Sequence, residues 1–328
     1  MAGTYLKATQ IARMTVGLLY RDLVVAKTVW TDAINPQEFT GALNDTVTMR
    51  VPARRTARTR TLRAGTAITN DVSHEFGVDV KLTTDVYNGA PITDEELTLD
   101  ITDFGAQILQ PQTRAVAEGV EAQIVNRINN STYANIIHAD DVQFDDDLNN
   151  TDWYKVALRA RRTLSEQNVP ETERYWLVGL EVEEQLLASD RLVKFDNIGG
   201  EAPDAFREAA IGRIAGFTVV PTSEIDEQAS FAYHRTAFAL ATRAPLVPRG
   251  VAFGTTQNLG GNGDVGYVGG VSSRWIMDYD YTNTTDRSLV NTWVGTAAVN
   301  DPIDVNGSDN DANKHLIRAV KIDNGHFS

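Results

Sequence analysis

The amino-acid sequence predicts an α+β protein, and three features carry that reading. Two early segments alternate strictly between apolar and polar residues, the pattern of half-buried strands. Thr93 to Asn130 carries an apolar stripe at helical spacing. A mixed succession of shorter strand and helix patterns follows, and a late pair of strand-like runs closes the order. With 328 residues the chain exceeds what one hydrophobic core serves, so two or more lobes are expected.

The stretch from Thr93 to Asn130 organises the rest. Thr93-Asp94-Glu95-Glu96 has the spacing in which a threonine hydroxyl and a glutamate carboxylate each satisfy a free backbone N–H at a helix start. A second start follows at Thr102-Asp103. Pro111 lacks a backbone donor, which predicts a kink or a fresh helix with the proline in its first turn. From there the spacing predicts a helix to Asn129. Val116, Val120, Ile124 and Ile128 recur every fourth residue beside Ala117 and Val125, while Arg114, Glu118, Glu121 and Arg127 take the wet side. At about 1.5 Å per residue this helix spans roughly 28 Å, enough to support other elements.

Ahead of it, residues 1–40 hold a weak helical pattern over Ala8 to Val25, with Ile11, Met14, Leu18 and Leu19 on one side, and an irregular piece through Pro36. An arm of this length is ordered only where it lies on something else. Thr46 to Val51 places Val47, Met49 and Val51 on one face, and Phe76 to Leu82 does the same with Phe76, Val78, Val80 and Leu82. These predict two antiparallel strands joined by a connection far longer than the usual two to five residues of a hairpin, roughly speaking. The connection carries Arg50, Arg54, Arg55, Arg58, Arg60 and Arg63, with hardly an acid before Asp71. Either it stands solvated and touches nothing, or it meets an acidic partner. Nucleic acid suits it poorly, because the loop lacks interleaved aromatic residues for stacking and the rest of the chain repels phosphate. A second copy of the chain offers Asp94, Glu95, Glu96, Asp100 and Asp103, or the run Asp140, Asp141, Asp145, Asp146 and Asp147. Loop-on-neighbour self-association is the preferred expectation.

After the long helix, Asp140 to Asn150 is acidic and turn-rich, a candidate lobe boundary. Asp152 to Gln167 reads as a helix with Trp153, Val156, Ala157 and Ala160 on one side, Glu173 to Val178 as a strand, and Glu181 to Ser189 as a short helix. Phe217 to Val220 reads as a buried strand, and Ser230 to Ala241 as two pieces around His234-Arg235. This lobe is expected to end near Gly250, before a glycine-rich joint over Gly260 to Gly270. Val271 to Tyr281 and Ser288 to Ala298 read as a hairpin that returns to pack on the long helix. Residues 301–328 read as a polar tail with one apolar patch, Leu316 to Ile322. There is no internal repeat.

Composition narrows the function. A formal net charge of −14 and a pI near 4.8 oppose nonspecific grip on nucleic acid. The absence of cysteine excludes disulfides, thiolate metal sites and cysteine nucleophiles. The chain opens without a charged-then-apolar leader, and no run reaches the roughly twenty apolar residues of a membrane span. The expectation is a soluble protein, made in cytoplasm, with no membrane partner.

No motif points to catalysis, a cofactor or a metal. Gly261-Asn262-Gly263-Asp264-Val265-Gly266 fits G-x-G-x-x-G, but no clear strand pattern precedes it, and a strand-like run follows where a helix would receive a pyrophosphate. His74, His138, His234, His315 and His326 are scattered, and His138 beside Asp140 and Asp141 reads as a polar loop residue. Asp145-Asp146-Asp147 and the Asp304 to Asp311 stretch lack the alternating ligands and central glycine of a calcium loop. Glu95-Glu96 and Glu183-Glu184 are adjacent, so on a helix their side chains diverge instead of facing one another as acid and base.

In their order, arm, long two-stranded loop, long helix, mixed lobe and returning strands, the parts resemble the major capsid proteins of tailed bacteriophages with the Hong Kong 97 fold. The local likenesses are Gly41 to Pro52 at the start of the loop, Leu97 to Gly105 entering the helix, Arg213 to Val219, and His234 to Ala239. The resemblance implies an N-terminal arm over 1–45, an extended loop over 46–82, a spine helix over 103–129, and a peripheral domain from 83–140 with 266–300. It further implies an axial domain over 141–265 and a C-terminal tail over 301–328. It implies a non-enzymatic shell protein, assembled in the host cytoplasm into the virion capsid through pentamers and hexamers of itself, enclosing double-stranded DNA without sequence-specific contact. Scaffolding, portal and decoration proteins are the further partners it implies. Some family members cross-link a loop lysine to a neighbour's asparagine; between Asp45 and Leu82 this chain has only Lys81, at the loop root, which argues against that chemistry. With about forty residues ahead of the loop, any scaffold is expected to be a separate protein. Three rivals stand beside this reading: a nanocompartment shell of the same fold, a soluble enzyme with a pocket in the middle lobe, and a virion accessory or adhesion protein, which would show repeats.

Overall fold

The computed structural model describes residues 24–31, 46–51, 57, 59–63, 67–68, 76–93, 95, 104–139, 152–188, 212–251, 253–259, 271–280, 282, 285–302 and 314–323. The early strands are β1 (Thr46–Val51), β2 (Phe76–Lys81), β3 (Thr84–Thr93) and, beyond the long helix, β4 (Tyr133–His138). Next come β5 (Arg174–Val178), β6 (Arg213–Ile214), β7 (Phe217–Pro221), β8 (Ser230–His234) and β9 (Phe238–Arg243). The last are β10 (Phe253–Leu259), β11 (Val271–Asp280), β12 (Thr285–Ala298), β13 (Asp301–Pro302) and β14 (Lys314–Asp323). The helices are α1 (Gln110–Asn129), α2 (Trp153–Glu166) and α3 (Leu180–Ala188).

The strands make three sheets. β1 and β2 pair antiparallel, with Val47 opposite Val80 and Met49 opposite Val78, as the alternation predicts. A five-stranded antiparallel sheet runs β10-β11-β12-β3, with β9 also paired to β12. A seven-stranded mixed sheet runs β13-β14-β8-β5-β7-β6, with β4 parallel to β14.

α1 crosses one face of the five-stranded sheet over roughly 30 Å, given its 20 residues. Pro111 sits in its first turn, but Leu109 before it already has helical φ/ψ, so the proline falls within a continuing helical path and not at a fresh start. The chain ahead takes a wider π turn over Gly105–Leu109, since the proline supplies no N–H to the carbonyl four residues back. Val116, Ala117, Val120, Ile124, Val125 and Ile128 are all buried, as their spacing predicts. Gln112 reaches into the sheet, donating to the Ser288 carbonyl at 2.9 Å and accepting from the Ser288 hydroxyl at 2.7 Å, while Trp275 Nε1 donates to the same hydroxyl at 3.0 Å. Gly119 lets the helix press on β3, where a Cβ would stand 2.6 Å from Val86 Cγ1.

Glu121 departs from expectation. It lies on the buried side of α1 instead of the wet side, and its carboxylate accepts backbone N–H groups from Val24 and Ala26. Those residues begin a 3-10 turn, Val25–Thr28, whose Val25, Ala26 and Thr28 are buried.

α2 and α3 accompany the seven-stranded sheet. Asp152 caps α2, its Oδ1 accepting from the Lys155 N–H at 3.2 Å. Trp153, Val156, Ala157, Ala160 and Leu164 form one apolar cluster with Trp176, Phe217, Val320 and Ile322.

Three further differences emerge. Thr84–Thr93, which carries no clear apolar alternation, is strand β3, held by β12 along its length. Tyr133–His138 is strand β4. The reading of residues 301–328 as a tail does not hold for Lys314–Asp323, which form β14, flanked by β4 and β8, with Leu316, Ala319, Val320 and Ile322 buried. The chain also changes sheet at the 3-10 turn Arg235–Ala237, inside the span 141–265, so that β9 and β10 join the five-stranded sheet. That crossing is fastened to the return crossing after β12. Val299 N–H donates to the Ala237 carbonyl at 2.8 Å, and Arg318 holds both oxygens of Asp301 while donating to Thr236 Oγ1 at 2.8 Å.

Candidate intersubunit surfaces

The arginine-rich loop has a fixed root. Met49, Val78 and Val80 pack against Ala239, Ala241, Ala297 and Val299, so the two-stranded ladder shares an apolar cluster with β9 and β12. Gly295 permits the contact, because a Cβ there would lie 2.4 Å from the Lys81 carbonyl oxygen, far inside van der Waals distance. Thr83 N–H donates to the Val294 carbonyl at 3.1 Å, and within the ladder the Thr48 hydroxyl donates to Asp79 Oδ1 at 2.5 Å.

Beyond the root the described loop residues are exposed. Leu62 is 91% exposed and Ile68 69%, beside exposed Arg60 and Arg63, and Arg63 takes a left-handed φ of 66° in the turn. Exposed apolar side chains interleaved with cations, on an anchored two-stranded base, are suited to cover another surface. Of the residues expected here, Arg50 lies in β1 opposite Gly77, and Arg54, Arg55 and Arg58 lie outside the described residues. Among the acids, Glu95 is exposed just past the end of β3, while Asp94, Glu96, Asp100 and Asp103 lie outside them. The Gly261–Gly266 motif lies outside them too, although β10 does precede it, contrary to expectation, and so do the Asp140–Asp147 run, the Asp304–Asp311 stretch and all but the last two residues of the arm pattern over Ala8 to Val25.

A second surface is the face of the five-stranded sheet turned away from α1. The register places Asp85 opposite Trp293 and Tyr87 opposite Asn291, so these four side chains share one face. Asn291 Nδ2 donates to Asp85 Oδ1 at 3.0 Å, and Arg274 donates from Nε to Asn291 Oδ1 at 2.9 Å and from Nη1 to the Leu246 carbonyl at 2.7 Å. Burial lowers the pKa of the Arg274 guanidinium and the Asp85 carboxylate opposes that shift. Beside this polar ladder Tyr87 is 69% and Trp293 40% exposed. An open groove of about 350 Å³ separates β2 from the end of α1, lined by Val78, Asp79, Arg127, Thr296, Asn300 and Lys314. Arg127 is fixed there by donating to the Thr296 carbonyl at 3.1 Å.

Among the described residues no group of histidine, aspartate and glutamate side chains is placed to hold a metal. His138 is exposed at the end of β4; His234 is buried and bonded to Thr236, and burial with the Arg318 cation lowers its pKa. No helix among the described residues is long and apolar enough to cross a membrane.

Two residues escaped sequence reasoning with different excuses. Glu121 stands in the i±4 row of Ala117 and Val125, so spacing alone pointed inward while its charge pointed outward. Gly295 left no signal, since a close backbone approach is a property of the partner strand.

No family model and no curated protein sequence matches the chain. Solved structures do. One from Mycobacterium phage Che8 is similar over 92% of this chain and 91% of its own, with 16% identity and a TM-score of 0.59. The capsid structure of cyanophage P-SCSP1u matches over 98% and 90%, with 10% identity and a TM-score of 0.57. The acid-stable capsid of Helicobacter pylori bacteriophage KHP30 matches over 85% and 84%, with 11% identity and a TM-score of 0.56. The chain has the Hong Kong 97-like fold shared with these phage structures, two of which are capsids.

Proposed function

We propose that the chain is the major capsid protein of a tailed-phage head, assembling with copies of itself through pentamers and hexamers into an icosahedral shell around double-stranded DNA. The observation that carries this reading is the shared fold over nearly the whole chain with phage capsid structures. In this reading residues 46–82 are the extended loop, with Arg50, Arg54, Arg55, Arg58, Arg60 and Arg63 meeting Asp94, Glu95, Glu96, Asp100 and Asp103 of a neighbouring copy. Residues 103–129 are the spine, the five-stranded sheet belongs to the peripheral domain, and the seven-stranded sheet belongs to the axial domain. The anchored root supports this assignment, because a projecting contact transmits force only if its base is fixed.

Charge supports it too. A formal charge of −14 keeps the wall from adhering to packaged DNA, so the genome is enclosed without sequence-specific contact. Each copy is held by several neighbours at once, so individually weak contacts add to a stable shell. Scaffolding, portal and decoration proteins are the further partners of such a shell, and the capsid of the virion is its location. The chain acts by holding geometry and turns over no substrate.

The test is assembly. The purified chain, alone or with a candidate scaffold, is expected to form closed shells in electron micrographs. Replacing Arg54, Arg55 and Arg58 together by glutamate is expected to leave a folded molecule that sediments as a monomer. Shells of normal yield from that variant would remove the loop from the contact, and a wild-type chain that stays monomeric under every condition would remove the reading.

A further inference from the structure

The lobe built on the seven-stranded sheet has two chemically opposite ends. β5 and β7 run parallel, so Arg174 and Phe217 lie at one end of the strands, Val178 and Pro221 at the other. The last turn of α2 reaches the first end, where Ser165 Oγ accepts from Arg174 at 3.2 Å. Its first turn lies beside α3, where Trp153 Nε1 donates to Gln185 Oε1 at 2.7 Å.

The first end is cationic. Arg161 donates to the Ala215 carbonyl at 3.3 Å, which brings exposed Arg213 of the β6–β7 hairpin near α2, and Arg159 and Arg162 stand exposed on the helix itself. Glu166, Glu171 and Glu173 each meet one arginine, Arg162, Arg161 and Arg235, within 3.3 Å, so among the described residues Arg159, Arg174 and Arg213 leave this end net positive. The other end is acidic. Glu184 on α3 and Glu224, Asp226 and Glu227 on the turn after β7 are exposed, and residues 177–188 and 217–234 contain no lysine or arginine. That turn is fixed in place. The Glu227 carbonyl accepts from the N–H groups of Glu181 at 3.1 Å and Val182 at 3.4 Å, and a Cβ on Gly179 would stand 2.3 Å from the same oxygen.

Both charged surfaces carry an exposed leucine. Tyr154, Leu158 and Arg162 recur every fourth residue and form one outer stripe of α2, with Leu158 41% exposed. Leu180, 45% exposed, opens α3 four residues before Glu184. We propose that the outer stripe of α2 docks a second copy of the chain, whose Leu180, Glu184 and Glu227 seat against Leu158, Arg159 and Arg162. This inference rests on the reading of the chain as a shell subunit and deepens it by naming a surface through which copies join. Charge complementarity selects the occupant. Nucleic acid would be drawn to the stripe but repelled by the acidic end and by the net charge of −14, whereas another copy brings the matching negative surface. Leucine against leucine supplies the dry centre, and the charges around it set the register. Because a helix and a fixed turn carry them, little backbone freedom is lost on docking. Used head to tail, one contact on each neighbour, the pair generates a ring.

The test reverses charge on each side of the contact in the full chain. Arg159→Glu with Arg162→Glu makes both surfaces acidic, and Glu184→Lys with Glu227→Lys makes both basic. Each double variant alone is expected to assemble about tenfold less than wild type at low ionic strength, read by sedimentation, with an unchanged urea midpoint because all four side chains face water. Mixed together, the two variants are expected to associate again, since opposite signs face once more. Leu158→Ser with Leu180→Ser probes the same contact with every charge intact and is expected to reduce assembly to a similar degree. Shells of normal yield from these variants overturn the surface and leave the shell reading standing. Loss in both charge variants without recovery in their mixture overturns the surface too. A wild type that never assembles removes the shell reading, and the mixture then decides the surface: association between the two variants supports it, and none overturns it.

Discussion

The two large sheets dispose of their faces in different ways. The seven-stranded sheet draws its covering from its own chain: α2 seals one side with Trp153, Val156, Ala157, Ala160 and Leu164 against Trp176 and Phe217. The five-stranded sheet gives one face to α1 and turns the other outward, with a polar ladder from Asp85 through Asn291 to Arg274 and two exposed aromatic rings. It also carries the loop root on its β9 and β12 strands. Among the described residues the core of the first is filled from within a single copy, although Ile136 on β4 and Tyr154 and Leu158 on α2 stand exposed. The second keeps partly wet apolar surface and cations projecting from a fixed base, the surface that the proposed assembly would cover with neighbouring copies.

That contrast is sharpest where one side chain holds the self-contained lobe together. Arg174 is buried at the start of β5; its guanidinium donates to the Pro170 and Val169 carbonyls at 2.7 Å each, to Ser165 Oγ at 3.2 Å and to the Arg161 carbonyl at 3.4 Å. It closes the carbonyl end of α2. Arg174→Met is expected to cost about 3 kcal/mol in urea unfolding, since several buried acceptors lose their donor at once. A loss below about 1 kcal/mol would mean that water serves those carbonyls equally well.

On the outward-facing side the largest effect belongs to the loop root. Gly295→Ala forces β12 and β2 apart, for an expected loss of about 2 kcal/mol, together with faster protease cleavage between β1 and β2. Unchanged cleavage would show that the root is not what positions the loop. The smallest effect on the isolated chain is expected from Tyr87→Ala combined with Trp293→Ala, within about 0.5 kcal/mol of wild type, because both rings already face water. Sedimentation should nevertheless show weakened assembly. A double variant that assembles normally would take the outer sheet face out of the contact and confine association to the loop.

The elements legible in sequence are those whose own side chains define a face. α1 and α2 were readable because the apolar period of 3.6 residues repeats over several turns, and β1, β2, β11 and β12 because alternation or turn residues bounded them. β3 and β4 were not. Thr84-Asp85-Val86-Tyr87-Asn88-Gly89-Ala90-Pro91 carries glycine and proline at an edge, where pairing with β12 supplies what propensity does not. β14 was hidden differently. Lys314, His315, Arg318 and Lys321 gave it the look of a tail, yet Arg318 is spent on Asp301 and Thr236, and neighbours on both sides bury the remainder. Of the candidate surface, the cationic loop was legible as charge, whereas its clamp at Gly295 and the outer ladder involve residues far apart in the chain.

By itself the amino-acid order determined the local elements, the acidic balance, the basic loop and their succession, because periodicity and charge are properties of neighbouring residues. Only the tertiary structure decided that Glu121 turns inward to meet the Val24 and Ala26 N–H groups, that Lys314–Asp323 becomes a central strand, and that the loop root is pinned to β12. Each of those outcomes depends on a group far away in the chain, or on a backbone approach that leaves no mark on the residues making it. Long-range contacts of that kind settle where a charge is desolvated and where a strand finds its partners, and local pattern carries neither.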